Sequence, residues 1–159
     1  MDCLLQAPDT FSVVRAQMPR YLTNTSAWLE PSLGMTLFVP SDRALEKFWH
    51  LGVDEMLRFP VESFRSAFTP FVRYSMLPKA VGPQDMVVGA SEPTAFRRSV
   101  ESGAKSAAGA GAAPLRFVPA PGPAGGVAVR ARYSLAPLSG DHWQCGKGWA
   151  HGVDSVLLF

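Results

Sequence analysis

Val153, Val156, Leu157, Leu158 and Phe159 close the sequence as a nearly continuous apolar run, broken only by Asp154 and Ser155. A run that short and that rich in Val and Leu suits a strand buried on both faces. The core must then be assembled around the end of the chain. The strongest candidate partner is Thr36-Leu-Phe-Val-Pro40, which Ser41-Asp42 closes. Thr36 to Val39 and Val153 to Leu158 are both expected to be central, buried strands.

At 159 residues, 47% of them hydrophobic and 11% aromatic, the chain is expected to form one domain over 1–159 with a real core. A net charge of +2 is too small to argue for nucleic acid, whose binders concentrate basic residues in a stripe. The close arginine groups, Arg97-Arg98 and Arg130/Arg132, read as solvated strand faces. No apolar run approaches the roughly 18 residues of a membrane span. Met1 to Pro8 lacks the basic and apolar regions of a signal peptide. An intracellular or organellar setting is therefore favoured, with an extracellular one as the alternative if a leader has been removed. Cys3 and Cys145 lie in no CxxC pair and read as two free thiols; a bridge between them needs an oxidising compartment.

Helical patterning dominates the first half. Phe11, Val14, Met18 and Leu22 recur at steps of three and four, with Asp9 or Thr10 as cap and an end near Met18 set by Pro19. Residues 23 to 34 read as a loop, pinned to the core by Trp28 and Leu29. After the first strand, Ser41 or Asp42 caps a helix carrying Ala44, Leu45, Phe48 and Leu51, which Gly52 ends. Asp54 caps a short turn. Val61 to Val72 has the cleanest helical period, interrupted by Pro70. The second half shifts to strands: Thr94 to Val100, Leu115 to Val118, and Val127 to Leu135. In the last, Val127, Val129, Ala131 and Tyr133 alternate with wet-facing residues. Low-complexity stretches at about 103–114 and 119–126 read as surface inserts. Helices first and strands later imply an α+β arrangement.

The segments TLFVPSD (residues 36–42) and GWAHGVDSVLL (148–158) resemble the signature boxes of the fasciclin-like domain, where members read close to TVFAPTD and NGVIHVIDSVLLP. Thr36, Phe38, Pro40 and Asp42 match in the first box. His151 and Asp154 match in the last. Tyr74-Ser75-Met76-Leu77-Pro78 stands where the family has Tyr-His, an apolar pair and Pro. The resemblance covers essentially the whole chain in the right order and implies a fasciclin-like β-sandwich or wedge with several packed helices. Ser75 replaces the usual His, so the integrin recognition of some animal members is not carried over. Tyr74, Pro78, His151 and the box residues are expected to be structural.

No GxGxxG, P-loop, HExxH or GxSxG pattern is present. Asp141, His142, Cys145 and His151 are close in sequence, but their spacing matches no standard zinc site, and no third group completes a Cys145–His142 pair. No metal, cofactor or catalytic residue is expected. The function that follows is non-catalytic protein interaction, as a small structural subunit docked on a larger intracellular or organellar complex. The alternative is a secreted or cell-surface adhesion or matrix module; a ligand carrier or enzyme is remote. Trp143, with His142, is the candidate partner-binding element, expected in a loop; Trp149 is expected in the core.

Overall fold

The computed structural model describes residues 2–22, 34–60, 62–63, 72, 74–94, 114–123 and 125–158, without the side chains of 2–3 and 18–22. The expected anchors Trp28 and Leu29, most of the expected 61–72 helix with Pro70, residues 95–100 of the expected strand, Arg97-Arg98, most of the 103–114 insert and Phe159 lie outside the described residues.

The strands are β1 (Thr36–Pro40), β2 (Met76–Leu77), β3 (Ser91–Glu92), β4 (Leu115–Pro119), β5 (Val127–Arg130), β6 (Leu135–Cys145) and β7 (Gly148–Val153). They form a seven-stranded sheet in the order β2-β1-β7-β6-β5-β4-β3. β1 and β7 run parallel, and the other neighbours are antiparallel. The helices are α1 (Ser12–Leu22), α2 (Asp42–Trp49) and α3 (Val53–Leu57). The α+β reading holds, but a single mixed sheet order stands in place of two stacked sheets.

That sheet turns back on itself. β1 and β4 are separated by β7, β6 and β5, so on a flat sheet they would lie roughly 19 Å apart. Yet the rings of Phe38 on β1 and Phe117 on β4 are 6.3 Å apart, edge to face. The fold-over occurs along β6, whose first half pairs with β5 and second half with β7, with a register shift between Leu138 and His142. Such bulges bend and twist a strand.

Alternation along β1 divides the core in two. Phe38 joins Tyr74, Leu77, Leu115, Phe117 and Val129 inside the fold of the sheet. Val39 faces the other way and packs with Phe11, Val14, Leu45 and Met56, beneath the helices. Asp42 couples the helices to that sheet. Its Oδ1 accepts the Val13 N–H at 2.9 Å, and its Oδ2 accepts the Ser12 N–H at 2.9 Å and the Ser12 hydroxyl. A carboxylate there satisfies the free amides of α1 and suits the positive end of the helix.

Several local expectations change. Ser41 caps α2, its Oγ accepting the Ala44 N–H at 3.2 Å, so Asp42 is free to cap α1. Asp9 instead pairs with Arg15 at 2.9 Å. α1 continues through Pro19 to Leu22; proline keeps a helical φ, and one lost hydrogen bond late in an anchored helix does not end it. α2 ends at Trp49, with His50 left-handed at φ 56°, not at Gly52. Gly52 opens α3, and Glu55, not Asp54, reaches back to its N–H at 3.0 Å.

The closing strand is also displaced. β7 is Gly148–Val153, and Val156 and Leu157 are buried as irregular chain after a bend at Asp154-Ser155. Within β7 two glycines admit close approach by Met35, just before β1, and by the N-terminal segment. A Cβ on Gly148 would overlap the Met35 backbone, and one on Gly152 would overlap the Phe11 ring and Ser139 Oγ. The expected 127–135 strand breaks at Arg130, where the Ala131 N–H bonds the Ser134 carbonyl at 2.9 Å and leaves Tyr133 65% exposed.

Gly152→Ala should lower stability by about 1–3 kcal/mol, the usual cost of overpacking a filled core. Urea denaturation checks this; an unchanged midpoint would show that Phe11 does not press on β7 as described.

Candidate functional site

The β6–β7 hairpin turns through Gly146-Lys147, and its two faces carry different chemistry. Register places His142 opposite His151, Trp143 opposite Ala150, and Gln144 opposite Trp149. On one face an aromatic row runs from core to solvent. The His151 ring lies 5.9 Å from Phe38 and 6.1 Å from Trp149, nearly parallel to the latter at 14°. The Trp149 ring is 6.2 Å from the exposed His142, whose Nδ1 lies 3.1 Å from the Gly140 carbonyl. Trp149 is half-buried, at the rim of this row instead of in the core.

The opposite face belongs to the helical core. Trp143 is a strand residue, not a loop residue, and its half-buried ring stands 5.6 Å from Phe11. Its indole nitrogen is buried without a hydrogen-bond partner among the described residues. Trp143 and His142, paired in the sequence reading, therefore point to opposite faces of β6. Pro137 and Gly140 disguised the strand in the sequence; Pro137 just precedes the register shift and Gly140 lies within it, where an irregular strand tolerates them.

Cys145, on the Trp143 face, is disulfide-bonded. This overturns the expectation of two free thiols. Cys3 is the other cysteine of the chain. It belongs to the 3-10 segment Asp2–Gln6, whose Leu4 is buried in the helical core with Cys145 packed beside it. No sequence signal placed those segments together, because neither cysteine sits in a recognisable motif.

The polar residues of the boxes bond backbone. Thr36 Oγ1 donates to the Lys79 carbonyl at 2.8 Å and accepts the Val81 N–H at 2.7 Å. His151, 2% exposed, directs Nε2 at the Val81 carbonyl, 2.8 Å away. A carbonyl only accepts, so Nε2 carries the proton. The Tyr74 hydroxyl accepts the Arg132 N–H at 3.4 Å; burial raises its pKa, and that bond opposes the rise. Pro40 pairs opposite Val153 at the end of β1. Pro78 is exposed just past β2, and exposed Asp154 gives its N–H to the Pro137 carbonyl at 3.0 Å. Ser75 is buried, and its carbonyl accepts the Phe38 N–H at 2.8 Å.

An apolar cavity beside β1, lined by Val14, Leu37, Val72, Ser75, Val156 and Leu157, measures about 10 Å³. That is room for roughly one water. Among the described residues no three His, Cys, Asp or Glu side chains gather as metal donors. No described helix is long and apolar enough to cross a membrane.

Among solved structures, the chain is similar to a FAS1 domain pair from the insect cell adhesion molecule Fasciclin I, with a TM-score of 0.55 and 15% sequence identity. The match covers 93% of this chain and 43% of that one, so this chain spans less than half its length. No protein-family model matches the sequence, and neither does any curated protein. The likeness supports a fasciclin-like fold.

Burial lowers the pKa of His151; the Val81 bond opposes this, and the nearby His142 adds to the lowering. The unfolded chain then takes up a proton near the ordinary histidine value of about 6.5, while the fold resists it until lower pH. The stability tied to neutral His151 is complete above that value and is lost as pH falls from it toward the depressed folded pKa. Thermal unfolding followed between neutral and mildly acidic pH should show a smaller loss in His151→Gln than in the parent. Equal losses would remove His151 as the source.

Proposed function

We propose that the chain is a non-catalytic protein-interaction module of the adhesion type that works in an oxidising compartment. The observation that carries this reading is the fold's likeness, over 93% of the chain, to domains of a cell adhesion molecule. Its polar groups are consistent with it. Asp42, Thr36 and His151 spend their bonding capacity on backbone or on Ser12, which leaves them to hold the fold. A specific recognition surface must then come from what the fold exposes.

The disulfide at Cys145 favours a secreted or cell-surface setting over a subunit of an intracellular assembly. Disulfides persist in oxidising surroundings and are rare where glutathione keeps thiols reduced. The docking surface in this reading is the outer part of the β6–β7 hairpin. His142 and the rim of Trp149 offer a polar and aromatic contact on one face. The uncovered edge of Trp143 contributes from the other. Aromatic side chains with a polar tip are common among residues that dominate interface energy.

Surfaces coated with the oxidised domain should hold cells against a controlled wash. His142→Ala, which removes an exposed ring, should hold several-fold fewer cells at unchanged thermal stability. Attachment no better than on an albumin-coated surface would contradict the adhesion reading. Equal attachment by the parent and His142→Ala would move the docking surface elsewhere.

A further inference from the structure

Away from the hairpin, the outer face of the folded-over sheet carries a charge arrangement that the fold does not explain. β4 and β5 pair antiparallel with Arg116 directly opposite Arg130. Directly opposed residues share a face, with Cβ atoms about 5 Å apart, and like charges so placed destabilise a sheet. Their inward neighbours Leu115, Phe117 and Val129 are fully buried, whereas both arginines are exposed. Arg132, also exposed, follows two residues after Arg130.

Among the described residues, no carboxylate stands beside these arginines across the sheet. Arg116 faces Ser91 across β3, and Arg130 faces Leu135 across β6. Glu92, the carboxylate of β3, pairs with Leu115 and so lies on the inner side, where Lys79 binds it at 2.7 Å. Among the described residues, the ion pairs are Arg15–Asp9 and Lys79–Glu92, and none involves these three arginines.

The backbone around Arg132 is hydrogen-bonded to the core. Its N–H is held by the buried Tyr74 hydroxyl at 3.4 Å. The Tyr133 N–H bonds the Leu158 carbonyl at 3.1 Å, and the Leu158 N–H bonds Ser134 Oγ at 2.8 Å. The exposed Tyr133 ring lies 5.1 Å from the Arg132 guanidinium. A platform fixed before binding loses less entropy when a partner arrives.

We propose that Arg116, Arg130 and Arg132, with Tyr133, form a docking surface for an extended acidic segment of a partner protein. In an extended chain, alternate side chains stand on one side about 6.7 Å apart. Carboxylates of such a segment can reach both Arg116 and Arg130, which the register sets directly opposite each other. Arginine's planar fork pairs carboxylates in a bidentate way, and Tyr133, beside the Arg132 guanidinium, adds an apolar contact. This proposal rests on the protein-interaction reading and names a partner chemistry for it, at a surface separate from the hairpin.

Fluorescence anisotropy with a labelled peptide of alternating glutamate and serine tests it, using the intact oxidised chain. The parent should bind, and Arg116→Gln/Arg130→Gln should bind about tenfold more weakly, the loss expected from two exposed ion pairs. Arg58→Gln, on α3, should bind as the parent does. Binding should weaken as salt rises from roughly 50 to roughly 500 mM. The double variant should unfold at or slightly above the parent's temperature in low salt, because a repulsion is relieved. Overturning results are no peptide binding by the parent, equal binding by the double variant, or marked destabilisation of that variant. Tighter capture of a sulfated oligosaccharide or of anionic phospholipid vesicles than of the peptide would also overturn it. A parent that fails to bind the peptide but still holds cells would defeat this surface while leaving the adhesion reading intact; the reverse would defeat the adhesion reading alone.

Discussion

The Asp42 carboxylate is the interaction on which the rest of the arrangement depends. It sits where β1 ends and α2 begins, and it accepts hydrogen bonds from Ser12 and Val13 at the start of α1. One side chain thus joins β1, which lies second from the sheet's edge instead of at its expected centre, to the segment that covers it. Fixing the start of α1 also fixes Phe11, the residue just before it. Phe11 can then lie on the bare backbone of β7 at Gly152 and against the Trp143 ring. A carboxylate accepting several donors in a site only 9% exposed is a strong anchor, because its bonds are charge-assisted and shielded from water.

The sheet's two faces divide the remaining work. One face folds over and closes on itself through Phe38 and Phe117, while the other receives the helices. The cavity beside β1 between these parts has room for about one water. The proposed interaction surfaces accordingly lie on the outside, at the hairpin tip and the arginine-bearing strands. The disulfide at Cys145 lies on the hairpin side of the helical core.

Much of the framework was legible in the sequence, and the failures have physical causes. β1 and β4 were visible because their alternation or apolar content is local. The partnership of the two boxes was visible through their resemblance to fasciclin-like domains. The register was not: the apolar run after Asp154 looked more strand-like than Gly148–Val153, whose glycines are there for close packing. β6 was hidden by Pro137 and Gly140 at its irregular centre, so Trp143 was misread as a loop residue. The Asp42 cap spans 30 residues of sequence and could not be separated from an ordinary local cap. Arg116 and Arg130 gained meaning only when the β4–β5 register set them face to face.

A double-mutant cycle between Asp42 and Ser12 tests the central claim most directly. Asp42→Ala, Ser12→Ala and the pair together would be compared by equilibrium denaturation. If the carboxylate anchors α1 through Ser12, the two changes should couple by about 1–2 kcal/mol, with the second change costing little once the first is made. Strictly additive losses would contradict it, because they would mean that Asp42 stabilises the fold without holding the start of α1 through that hydroxyl.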